Sequence, residues 1–294
     1  MAGSWKMQAV MVVAAALIVS GVFAFRYPGY LYEIVDRRPV PEIETIEYSS
    51  ESLDQTYLLY VQLPPGYGQS NKRYPVLYAL DGWAATRMYS RAVLPLIRRR
   101  EIPEPIIVGI GYKNSGRVFA GAIFLDGRRA RDFTSTPDPA IPRSGQADTF
   151  LSFLDDKVVP FIDATYRTDT DDRAIGGYEL GGLFSCYAAL SRPELFQRCL
   201  AIDPRFAWQD EQIFEVEEKA AAAGIPLNAR IYFASFGDRA FTNSAVAFMA
   251  DTLRRREYPD LVVEDAVVSG RRQTATVETA ISDGLRFVYD SPTR

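Results

Sequence analysis

The residues from which chemistry can be argued begin at Ala174-Ile175-Gly176-Gly177-Tyr178-Glu179-Leu180-Gly181-Gly182-Leu183. An apolar strand, a turn of small residues and then an apolar helix from Leu183 to Leu190 match the strand-turn-helix of a nucleophile elbow, written G-x-S-x-G. Here the serine position holds Glu179. Gly177 and Gly181 make physical sense on either side of it, because a strand that reverses sharply into a helix leaves no room for a Cβ where the two backbones pass. A carboxylate at such a turn can act as a nucleophile that forms an ester intermediate, and releasing that intermediate ordinarily takes a histidine to activate water. The chain contains no histidine, so the usual general base near neutral pH and the commonest zinc ligand are both missing.

A second chemistry uses the acids together. Glu179, Asp203 and Asp238 are expected at strand ends on one edge of the sheet, where three carboxylates could hold a hard cation such as Ca²⁺. The alternative is that Arg205, Arg239, Arg271 or Arg272 neutralises them as ion pairs, and the placement of Arg205 and Arg239 beside acids in the sequence favours it.

The elements that must position these residues alternate between strand and helix patterns. Strands are predicted at Thr56–Leu63, Tyr74–Leu80, Pro105–Gly111, 173–177, Cys199–Ile202, Arg230–Ala234 and Leu261–Val267. Helices are predicted at Thr86–Arg99, at Phe150–Tyr166 with Pro160 near its end, and at about 210–223, 242–256 and 275–289. Residues 113–148, rich in Gly, Pro, Asp and Arg, read as a long irregular excursion over the mouth of a pocket or against a partner. In a mostly parallel sheet the carboxyl ends of the strands gather at one edge, and a site would lie there.

Four blocks in a fixed order carry a family resemblance: Tyr60-Val61-Gln62-Leu63-Pro64-Pro65-Gly66-Tyr67, then Arg73-Tyr74-Pro75-Val76-Leu77-Tyr78-Ala79-Leu80-Asp81-Gly82, then Arg131-Asp132-Phe133-Thr134, then the elbow. From about Glu51 to Tyr289 the chain resembles the esterase branch of the α/β hydrolases, the family of enterochelin esterases, S-formylglutathione hydrolases and mycolyltransferases. The resemblance implies an α/β-hydrolase fold with a mostly parallel central sheet flanked by helices. It also implies a Ser-His-acid triad with backbone oxyanion donors. Carried over position by position, the serine falls on Glu179. The histidine falls on Gln273, three residues after Gly270 and ahead of Gly284-Leu285-Arg286-Phe287. The acid falls on Ala240 or Asp238, and the donors are the amide of Leu180 and one near Gly82. On this reading the triad is degenerate.

Composition sets the remaining bounds. The 294 residues carry a net charge of −4 and are 48% apolar, enough for one large core and unsuited to a nucleic-acid partner. No cofactor is implied. Cys186 and Cys199 fall on the helix after the elbow and on the next strand, and read as buried free thiols. The apolar run Met7–Phe25 is long enough for a hydrocarbon layer of about 30 Å and is flanked by Trp5 on one side and Tyr27, Tyr30 and Tyr32 on the other, as a membrane anchor would be. A signal peptide cleaved after Val22-Phe23-Ala24 is the competing reading. Residues 1–25 are thus expected to be the anchor, 26–45 a Tyr/Pro-rich stalk and 46–294 the esterase-like domain. Arg26, Arg37 and Arg38 against Lys6 would hold the domain in the cytoplasm, whereas the short N-terminal tail favours export. The sequence reading is therefore a catalytically inactive, membrane-anchored accessory subunit that contacts the bilayer through residues 7–25 and other membrane-protein subunits on the exported face. Two alternatives stand beside it: a module binding an acyl or lipid-like ligand in the old pocket, and a divergent esterase using Glu179.

Overall fold

The computed structural model describes residues 39–113, 127–237, 239–269 and 273–290. The stretch that the sequence reading takes as anchor, and the stalk as far as residue 38, lie outside the described residues, as do Asp238, Arg271 and Arg272. Among the described residues, no helix is long and apolar enough to cross a membrane.

Eight strands form one sheet: β1 (Glu44–Ser50), β2 (Gln55–Gln62), β3 (Tyr74–Leu80), β4 (Ile106–Tyr112), β5 (Thr168–Tyr178), β6 (Arg198–Ile202), β7 (Arg230–Phe236) and β8 (Val262–Val268). Their order is β1-β2-β4-β3-β5-β6-β7-β8. The β1–β2 and β2–β4 pairs are antiparallel and the others parallel. The sequences explain the placing. In β3 and β4 every residue is buried, as expected of central parallel strands covered on both faces. β1 alternates exposed and half-buried positions at the sheet edge, and takes in Glu44 and Thr45 from the end of the expected stalk.

Helices cover both faces. On one side α1 (Gly82–Arg98) and the C-terminal α8 (Gln273–Tyr289) bury Tyr89, Val93, Leu96, Ile281 and Leu285 against Leu77, Leu200 and Tyr232. On the other lie α2 (Arg128–Phe133), α3 (Ala147–Phe153), α4 (Val159–Thr165), α5 (Leu180–Ser191), α6 (Ile213–Ala222) and α7 (Ala240–Arg255). There Phe133, Phe150, Phe184 and Phe233 belong to the larger core cluster.

Two expectations change. The single helix predicted over Phe150–Tyr166 is interrupted by a π turn at Leu154–Val158, between α3 and α4. Pro160, which has no N–H to give to the turn before it, sits in the first turn of α4, and a widened turn just upstream accommodates it. The part of the excursion described at 127–148 is also more ordered than its composition suggests: it contains α2, in which Arg129, Arg131 and Asp132 are all buried.

Candidate active site at the carboxyl edge of the sheet

β5 ends at Tyr178 and α5 starts at Leu180, so the whole reversal falls on Glu179. Its backbone has φ 52° and ψ −110°, a combination disfavoured for any residue with a Cβ. Three backbone bonds hold it there. The Glu179 N–H donates to Ile202 O at 3.1 Å, and its carbonyl accepts from Leu183 N at 2.9 Å and Arg205 N at 3.1 Å. The expected glycine contact is present: a Cβ on Gly177 would lie 2.4 Å from the carbonyl carbon of Gly181.

The next strand brings Asp203 beside this turn, because Tyr178 pairs with Ile202 in the β5–β6 register. The Asp203 side chain is fully buried and also sits at positive φ, 48°. Arg239, from the turn after β7, donates to the Asp203 carboxylate, and its Nη1 lies 3.7 Å from Glu179 Oε1. The Tyr178 phenol is pushed above its ordinary range, first by burial and then by the charges of Glu179 and Asp203.

On the other flank, Ala79 of β3 pairs with Gly176 of β5, so the turn after β3 abuts the elbow. A Cβ on Gly181 would be 3.3 Å from Asp81 Oδ2 and 3.5 Å from Leu80 Cβ. Asp81 (φ 77°, ψ 20°) and Gly82 (φ 67°) are both left-handed. Gly82 and Leu180 are the first residues of α1 and α5, and the amides of a first helical turn have no acceptor within their own helix. Both helix starts therefore offer donors to a developing anion at one edge of the sheet. Arg129 links the two turns: Nε and Nη2 donate to Asp81 Oδ1 and Oδ2 at 2.6 and 3.0 Å, and Nη2 also donates to the Tyr178 carbonyl at 3.0 Å.

Behind the elbow, between α1 and α8, lies a cavity of about 30 Å³ lined by Leu80, Asp81, Tyr89, Gly177, Tyr178, Ile202 and neighbouring apolar residues. That is room for about one water, far short of an acyl chain.

The structure thus brings Glu179, Asp203 and Arg239 together, with Leu180 and Gly82 on the opposite flank. Ala240 and Gln273 are the first residues of α7 and α8. Arg205 is exposed, and of the four arginines considered as counter-ions it is Arg239 that sits between the acids. Asp238, the third carboxylate of the cation-binding alternative, lies outside the described residues; among the described residues no three His, Cys, Asp or Glu side chains could hold a metal ion. Cys186 and Cys199 are buried and free, and burial pushes both thiols up. Sequence reading missed Arg129. Its only signal was the density of charge in Arg128-Arg129-Ala130-Arg131-Asp132, which in a loop would be solvated.

This sheet, with a strained turn after its central strand and helix starts on both sides of it, defines an α/β protein of the esterase class. The family model described as "Putative esterase" matches residues 50–264, and the chain belongs to that family. Among curated relatives, the ferri-bacillibactin esterase BesA of Bacillus subtilis is 31% identical over 186 residues, which cover 58% of this chain and 60% of that protein. The siderophore enterobactin esterase of Emericella nidulans is 26% identical over 259 residues, 80% of this chain and 78% of that protein. The crystal structure of the BES protein from Bacillus cereus shares the fold with a TM-score of 0.75 at 23% identity, covering 87% of this chain and 99% of that one.

These findings correct the functional expectation. The named relatives are esterases, and nothing in the family match or the structure supports an inactive accessory subunit, a pseudoenzyme or a scaffold. The expectation of membrane attachment finds no support among the described residues, none of whose helices could span a bilayer; Met7–Phe25, on which it rested, lies outside them.

Proposed function

We propose that this chain is a divergent ester hydrolase in which Glu179 does the proton transfer that histidine performs elsewhere. The Glu179 carboxylate takes a proton from a water whose oxygen attacks the ester carbonyl carbon. The tetrahedral anion sits against the amides of Leu180 and Gly82. As the carbon to leaving-oxygen bond breaks, Glu179 returns the proton to the departing alkoxide, giving one acid and one alcohol. Arg239 keeps the neighbouring Asp203 neutralised, so a single negative group is left to act as base. A carboxylate is a weaker base than imidazole, and turnover slower than that of a Ser-His-Asp enzyme follows from that.

The observation that carries this reading is the backbone of Glu179. A non-glycine residue in so disfavoured a conformation costs about 1–3 kcal/mol, and such strain persists where it holds a reacting group in place. The names of the relatives make siderophore esters the first substrates to try. Purified protein given enterobactin, and separately a p-nitrophenyl ester, should release product above the buffer rate. Glu179→Ala should lower kcat/KM by about 10²–10⁴, the usual contribution of a positioned acid-base group. A wild-type rate equal to buffer, saturable binding without product, or an unchanged Glu179→Ala variant would each defeat the proposal.

A further inference from the structure

We infer that Arg129 is the positioning residue that sets the two helix starts at the distance the reaction needs. The inference rests on the hydrolase reading above. Donors on two separate strand-to-helix turns can hold one oxyanion only if the turns keep a fixed spacing; the β3–β5 ladder sets the strands side by side as far as Ala79 and Gly176, but it ends before either turn. The guanidinium supplies the link beyond it. One face of its fork is bidentate on Asp81, which precedes Gly82, and Nη2 also reaches the carbonyl of Tyr178, which precedes Glu179. Arg129 is 1% exposed, so water does not compete for these bonds. Its planar fork suits three acceptors on two chain segments, which a lysine ammonium on a flexible stem cannot reproduce in the same geometry.

The same helix carries an internal control. Arg131 is also buried and donates to Asp132 at 2.5 and 3.1 Å and to the Tyr57 hydroxyl at 3.0 Å, but these partners, on α2 and β2, form neither turn of the site. Loss of either arginine weakens a buried ion pair. Of the two, only loss of Arg129 removes bonds that join the turns beyond the end of the ladder.

The test compares Arg129→Lys with Arg131→Lys in the full chain, by kcat and KM for the p-nitrophenyl ester and by affinity for an alkyl phosphonate monoester, a stable anionic tetrahedron. Arg129→Lys should lose about 10- to 100-fold in kcat with little change in KM, and should bind the phosphonate more weakly by a similar factor. Arg131→Lys, corrected for folded fraction, should keep both. The double variant Asp81→Asn/Arg129→Gln, which leaves no buried charge unpaired, should fold and show the Arg129→Lys defect. Normal kcat and phosphonate affinity in the Arg129 variants, or an equal loss in Arg131→Lys, overturns the inference. If the wild type binds phosphonate without hydrolysing the ester and Arg129→Lys binds it less, the hydrolase reading fails while the positioning role stands. If the wild type neither hydrolyses nor binds, both are overturned.

Discussion

Two neighbouring turns at the carboxyl edge of the sheet carry an acidic residue at positive φ just before a helix, and they use it differently. Asp81 sits in the left-handed well that aspartate tolerates, and both its oxygens are taken by Arg129. Glu179, with ψ −110°, has left that well, and among the described residues the nearest cation to its carboxylate is Arg239 at 3.7 Å, already bonded to Asp203. One carboxylate is relaxed and fully paired. The other is strained and loosely held. A paired charge on a relaxed turn shapes the site, whereas a loosely held one on a strained turn is placed to react.

The contrast predicts opposite stability effects for parallel substitutions. Asp81→Ala leaves the Arg129 guanidinium buried without its partner and should cost about 3–5 kcal/mol. Glu179→Ala leaves the Arg239–Asp203 pair intact and should stay within about 1 kcal/mol of wild type. Urea unfolding of the two variants checks both values, and similar losses would break the comparison. A smaller effect sharpens it. Glycine relieves the conformation at 179, so Glu179→Gly should gain about 1 kcal/mol in the same assay while losing hydrolysis. Asp81→Gly, already in a tolerated well, should only lose stability.

The smallest effect concerns a third carboxylate. Glu278, on α8, is pushed up to about 7 by burial. Between roughly 4.3, the ordinary glutamate value, and about 7 the folded chain holds a proton that the unfolded chain has released. Stability from this group is therefore complete below that window, falls as pH rises through it and is flat above. The chain has no histidine to produce a slope there, so the sign is readable. Thermal melts of Glu278→Gln should lie close to wild type at pH 4 and above it at pH 8.

Much of the frame was legible because central parallel strands announce themselves as apolar runs. Ile106-Ile107-Val108 marked β4, and the small residues around Glu179 marked the elbow. β1 was missed because Glu-Thr-Ile-Glu-Tyr-Ser-Ser, at a sheet edge, contains no such run. In the site, Glu179 followed from local sequence and the Gly82 turn from the family resemblance. Arg129 did not, since its partners are 48 and 49 residues away and charge density alone reads as surface. The expectation of inactivity came from the degenerate triad, with Glu179, Gln273 and Ala240 or Asp238 at the serine, histidine and acid positions. It left out the strain at Glu179, a property of backbone angles that no residue type reveals.

The end of the sheet has a consequence of its own. β8 bonds to β7 on one side, no strand follows it in the sheet order, and Val262 and Val267 stand exposed along it. Amide protons along that border should exchange with deuterium well ahead of those in β3 and β5, which have neighbours on both sides. Under heat or denaturant the sheet should open from its edge strands, β8 among them, toward the centre, with the elbow among the final parts to let go.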